Sequence, residues 1–166
     1  MKIKALFTAA YFGGLVIVSG CGGNNDSGSQ EAQEHHQEVV NGDIRELTAS
    51  VSELPAFLDE KHENIQNIYA LVPKYQHVLE SMPCYCGCGD SVGHKNNYDC
   101  FIQENNEDGS IVWDDHGTKC GVCLEIAAAS MKMSADGKSL LETRQTIDEQ
   151  YKTGYANPTP TPMPEA

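Results

Sequence analysis

Apolar residues along this chain fall into blocks of different kinds. Ala5 to Val18 is an apolar run broken by little except Thr8, Gly13 and Gly14. Helical spacing takes over further on. Ile65, Ile68, Tyr69 and Val72 recur at helical intervals, and Pro73 ends or kinks that helix. Val78, Leu79 and Met82 repeat the spacing up to Pro83. Val122, Ile126, Ala129 and Met133 keep one face apolar from Gly121 to Ala135, and Gly137 sits where a helix-ending glycine belongs. Ser139 and Glu142 have capping-box spacing, and Leu140, Ile147 and Tyr151 supply the buried stripe of a last helix. Leu47 to Leu58 reads as a short helix interrupted at Pro55, with Leu54, Phe57 and Leu58 facing the core. Ile111, Val112 and Trp113, after the Asp108-Gly109 turn, are the only strand this pattern supports. The expected fold class is therefore mainly α, a small helical domain around an irregular Cys-rich centre spanning residues 84–119.

The two ends read as non-core. Residues 22–42 are polar, Gly- and Ser-rich and almost free of large apolar groups, as in a flexible tether. Residues 158–164 alternate Pro with Thr or Met, which removes backbone donors and excludes helix, so a disordered, extended tail is expected over 156–166. At the start, Lys2 and Lys4 precede the apolar run, which is too short and too Gly-interrupted for a membrane-spanning helix of ~20 residues. Val18-Ser19-Gly20-Cys21 then resembles the lipobox of bacterial lipoproteins, in which the cysteine thiol receives lipid and becomes the first residue after cleavage. The division expected is a signal peptide over 1–20, a lipid-anchored tether over 21–43, the domain over 44–155 and the tail. Lipidation of Cys21 would hold the protein outside the cytoplasmic membrane, on the bilayer without crossing it.

Charge narrows the partners. With 24 acidic against 11 basic residues and a net charge of -13, the surface repels nucleic acid and anionic lipid alike. Membrane association must then come from the lipid itself. Attraction of cations is the sharper reading of this acidity, and solubility the plainer one.

Six cysteines remain beyond Cys21, and their grouping is the most informative feature. Cys84, Cys86 and Cys88 occupy alternate positions, with Cα atoms ~6.6–6.8 Å apart in an extended chain. That is the upper limit for a disulfide, whereas thiolates around an ion need only lie ~2.3 Å from one point. Cys120 and Cys123 form a Cys-x-x-Cys pair at the start of a helix, where the dipole favours thiolate. Cys100 lies between the clusters, and His94 and His116 flank them. Imidazole and thiolate together suit zinc, and crowded thiolates suit Cu(I). All eight residues are candidate ligands. An even number of cysteines in a small exported domain is equally a disulfide framework of fifteen pairings, and both readings stay open. Cys-x-x-Cys is also the spacing of thioredoxin-like pairs, although no βαβ pattern surrounds it. Leu124 after Cys123 rules out the covalent haem signature.

Residues 83–88 spell PCYCGC, which resembles the motif of the PCYCGC-motif lipoproteins of bacteria. Gly93-His94, Cys100-Phe101, His116-Gly117 and the Cys120/Cys123 pair leading into a helix extend that likeness over roughly residues 54–152. The resemblance implies a lipoprotein with a family-defining cysteine site and implies no reaction. The helix led by Cys120 and Cys123, followed by a second helix ending in Tyr, is also similar to the cytochrome c maturation thiol proteins.

The leading functional expectation is a membrane-anchored module that binds Zn or Cu(I) for storage or delivery to a metal-accepting protein. The alternatives are a redox factor using Cys120 and Cys123 on thiol-containing partners, and a disulfide-stapled scaffold. No Ser/His/Asp set, paired catalytic carboxylates, HExxH or phosphate-binding Gly loop supports an enzyme.

Overall fold

A computed structural model describes residues 36–165; the signal-peptide and Cys21 readings lie outside them. The chain opens with a hairpin. Strand β1 (Gln37–Val40) turns into β2 (Asp43–Thr48) through Asn41 and Gly42, both at positive φ (54° and 90°), as a two-residue type I′ turn requires. A short 3₁₀ turn (Ala56–Leu58) leads to helix α1 (Glu63–Leu71), a second 3₁₀ turn (Val72–Tyr75) and helix α2 (Gln76–Leu79). The PCYCGC loop follows, then the single-turn helix α3 (Gly89–Val92). Strands β3 (Ile102–Asn105) and β4 (Ile111–Asp114) form a second hairpin, and α4 (His116–Lys119), α5 (Gly121–Ala135) and α6 (Leu140–Gln150) complete the fold. The strands make one antiparallel sheet in the order β1-β2-β4-β3.

This sheet corrects the mainly-α expectation, because four strands and the helices packed with them make an α/β fold. The short helix expected over Leu47 to Leu58 is likewise replaced: β2 reaches Thr48, and only Ala56–Leu58 turns helically, after Pro55. The sheet begins at Gln37, within the stretch expected to be tether. The reason lies in β2, whose buried positions are Asp43, Glu46 and Thr48 while Leu47 is 40% exposed. Hydrophobic alternation is inverted there. Glu46 is nevertheless satisfied, since its carboxylate accepts from the Ala56 and Phe57 amides and from Gln37 Nε2. Register sets Glu46 opposite Trp113 and Thr48 opposite Ile111. Thr48 Oγ1 accepts the indole N–H of Trp113 at 2.8 Å.

Trp113, Ile111 and Ile102 of the sheet pack with Tyr69, Val72, Leu79, Phe101, Ala127 and Met131 into the main core. A second core of Met82, Tyr85, Ile126, Ile147 and Tyr151 joins α5, α6 and the PCYCGC loop. Helix α5 thus serves both cores with adjacent faces. Its bounds coincide with those read from its spacing, and α6 starts at the expected Ser139–Glu142 capping box. Among the described residues no helix is long and apolar enough to cross a membrane.

The expected disorder of the Pro/Thr tail also needs correcting. Thr159 exchanges two hydrogen bonds with the Cys84 backbone, the Ala156 amide donates to Tyr85 O, and Arg144 Nη1 donates to the carbonyls of Thr161 and Pro162. The tail is an extended strap across the PCYCGC loop. In this fold the fully buried Trp113 is the keystone of the main core. Trp113→Ala is expected to cost ~3–5 kcal/mol in urea unfolding at constant metal loading. A loss below about 1 kcal/mol would show that the sheet does not depend on this packing.

Candidate metal centre

Three segments meet at the N-terminus of α5. The first is the PCYCGC loop, which leaves α2 without regular structure and turns at Gly87, where φ is +78°. A Cβ there would also come within 3.2 Å of Ala156 Cβ, so both the turn and the strap demand glycine. The second is the segment 94–100, held to the others by the fully buried Asn97. Its amide donates to Met82 O, and its Nδ2 donates to Cys123 O. The third is the exit of β4, where Asp114, Asp115 and His116 lead into α4 and Cys120.

The donor atoms of Cys86, His116, Cys120 and Cys123 all lie within 4.8 Å of one another, and so do the sulfurs of Cys84, Cys100 and Cys123. Cys123 belongs to both sets. All six domain cysteines are free thiols. The alternating triplet does not converge on one point: Cys86 falls in the first set and Cys84 in the second, and the Gly87 turn parts Cys86 from Cys88. Cys88 is in neither set and lines the mouth of a cleft of ≈ 540 Å³ together with Cys86, His116 and Cys120. His94 is 5% exposed, stands edge-on to His116 with ring centroids 4.7 Å apart, and makes no hydrogen bond of ordinary geometry through either nitrogen.

Hydrogen bonds tune the sulfurs. The Cys88 amide donates to Cys86 Sγ at 3.4 Å, and Cys84 Sγ shares a proton with Cys100 Sγ at 3.1 Å. Bonds from Cys120 and Cys123 stabilise the Cys86 thiolate and pull its pKa down. Bonds from Cys123 and Cys84 do the same for Cys100. Their proton-holding partners move the other way: Cys84 and Cys123 are both raised, chiefly by their bonds to Cys100. For Cys120 the Cys123 bond lowers the pKa, but Cys86 and burial carry it upward on balance. Cys88 is pushed up to about 11 by burial and the neighbouring Cys86 charge.

The histidines answer these thiolates. His116 rises to about 9, first through Cys86 and then through Asp43, against the cost of burial. Burial lowers His94, but Cys100 outweighs it and the ring is raised. The neighbouring sulfurs thus favour the charged form of both rings, Cys86 that of His116 and Cys100 that of His94.

Sequence reasoning missed Asp43. Its Oδ2 accepts from His116 Nδ1 at 3.0 Å across 73 positions, which leaves His116 Nε2, buried and without a hydrogen bond, as the free nitrogen. Metal-binding histidines characteristically give their second nitrogen to a carboxylate in this way, which fixes tautomer and ring orientation. Asp43, Asp114 and Asp115 also cluster, but Lys119 bridges Asp43 and Asp115, Arg45 meets Asp114, and the Ile44 and His116 amides fill further oxygens. They are a support for His116. Asp43→Ala is expected to weaken metal binding roughly 10–100-fold in chelator competition while circular dichroism stays unchanged. Unaltered affinity would remove Asp43 from the site.

Fold and site define a small α/β domain whose Cys/His groups can hold a metal ion. The chain belongs to the family described as proteins of unknown function with a PCYCGC motif, whose model matches residues 12–164. No curated protein and no solved structure matches the chain.

Proposed function

We propose that this protein is an extracytoplasmic lipoprotein, anchored through Cys21, that holds a soft transition metal ion at Cys86, His116, Cys120 and Cys123 and passes it on. The observation that carries the reading is the convergence of these four donors, with His116 oriented by Asp43. Three thiolates and one imidazole are a closed tetrahedral set for zinc, and the excess of sulfur also suits Cu(I). The site opens into the cleft that Cys88 lines, so an incoming thiol has a route to the ion. Cys88, outside both sets, is placed to take the ion for a moment during exchange. Membrane fractionation of wild type against Cys21→Ser addresses the anchor.

The test of the site uses the full chain, loaded anaerobically with Cu(I) or Zn(II) and counted by native mass spectrometry. Loaded protein is then mixed with a colorimetric chelator. Tight stoichiometric loading is expected, and Cys88→Ser should keep that stoichiometry while slowing release to the chelator several-fold. A reduced protein that takes up neither ion would overturn the proposal, and loss of stoichiometric loading in Cys88→Ser would overturn the role given to Cys88.

A further inference from the structure

The second donor set has a geometry of its own. Cys84, Cys100 and Cys123 are all buried, and their sulfurs lie within 4.8 Å of one another. Beside Cys100 stands His94, a buried imidazole with two nitrogens that make no ordinary hydrogen bond. Cys100 engages this ring electrostatically, but neither nitrogen has a hydrogen bond of good geometry, which is costly for a buried group. Both sets use the same sulfur, Cys123 Sγ. We infer that the site holds two soft metal ions bridged by the Cys123 thiolate, the first among Cys86, His116 and Cys120, the second among Cys84, Cys100 and His94. This rests on the metal-binding reading above and extends it.

The donor count and charge agree with the inference. The two sets comprise six side chains, four donors for one ion and three for the other with Cys123 serving both, and His94, which stands outside the second set, supplies the fourth donor in the inferred site. With the five thiols of the two sets deprotonated by two divalent ions, the largely buried site carries one net negative charge. Binding displaces the thiol and imidazolium protons, which leave to solvent as each ion enters. With metal–sulfur bonds of ~2.3 Å, two ions on one sulfur lie no more than ~4.6 Å apart. The perpendicular packing of His94 on His116 keeps the two imidazoles beside each other, one for each ion.

The halves differ in access. Cys86, His116 and Cys120 line the cleft, while Cys84, Cys100 and His94 do not. The cleft-side ion therefore exchanges first, and the inner ion stays.

The experiment loads the full-length, reduced protein with cadmium, a soft probe with an NMR-active isotope. Two cadmium resonances per chain that split one another through the shared sulfur are expected, with the cleft-side ion removed first by chelator. A single bound cadmium whose resonance survives in Cys100→Ser would overturn the second site and leave the function proposed above standing. Two resonances without mutual splitting would overturn the bridge. No bound cadmium would overturn both. His94→Ala supplies a check independent of the thiols: it should weaken the second ion by an order of magnitude or more and leave the first unchanged, and equal retention of both would remove His94 from the site.

Discussion

Cys86→Ser is expected to abolish stoichiometric loading of the cleft-side site, whereas Cys88→Ser, two residues away, is expected to retain it. Serine keeps the size of the side chain but offers a hydroxyl that neither ionises readily nor binds soft metals. Cys86 is the thiolate on which Cys120, Cys123 and His116 all converge. Removing it takes away one of four donors and leaves the His116 imidazolium without its main anionic neighbour. Cys88 holds none of these roles and only lines the cleft. Metal content after dialysis, measured on both variants and on wild type, reads the difference. Equal loss in the two variants would mean that the triplet acts as a single site, contrary to the geometry described above.

Stripping the metal is expected to have the largest effect on stability. The loop joining α2 to α3 has little regular structure, and its thiols meet those of α5 beside the packing of Met82 and Tyr85 on Ile126. Metal binding of this kind supplies ~10–16 kcal/mol in small zinc domains that are unfolded without it. Here the Trp113 core and the α5–α6 core exist beside the site, so the domain should remain folded at a reduced margin. A loss of about 5 kcal/mol, at ~2–4 °C per kcal/mol, lowers Tm by on the order of 10–20 °C. Calorimetry of the reduced protein with and without a chelator checks this. Hydrogen exchange should quicken in residues 84–100 and 116–123, while the capped helix α6 remains protected. An unchanged Tm would show that the thiols do not tie the loop through a metal.

The contrast between helices and sheet shows what a sequence exposes. Helices α5 and α6 were legible because each carries a continuous apolar stripe and local end signals, Gly137 for one and the Ser139–Glu142 box for the other. The first hairpin had only its Asn41-Gly42 turn as a signal. Its strands hide the usual pattern: Asp43, Glu46 and Thr48 point inward because their partners Lys119, Ala56 and Trp113 arrive from elsewhere in the chain. The site divides in the same way. Its ligand types were visible in the spacing of the cysteines, and His94 and His116 stood out beside them. How those ligands sort into two sets depends on α5 carrying Cys123 to the meeting point of three segments, which is not a local property. Asp43 could not be linked to His116 at all without the pairing of β2 with β4.

In the function proposed, Cys86, His116, Cys120 and Cys123 hold a metal ion together. Cobalt substitution addresses it most directly, because Co(II) takes zinc-like tetrahedral sites and reports its ligands by colour. The reduced full-length protein titrated with Co(II) should develop intense visible bands of tetrahedral cobalt and thiolate-to-cobalt charge transfer, with both diminished in Cys120→Ser. A pale solution without charge transfer, from a protein shown to be reduced and folded, would contradict the account.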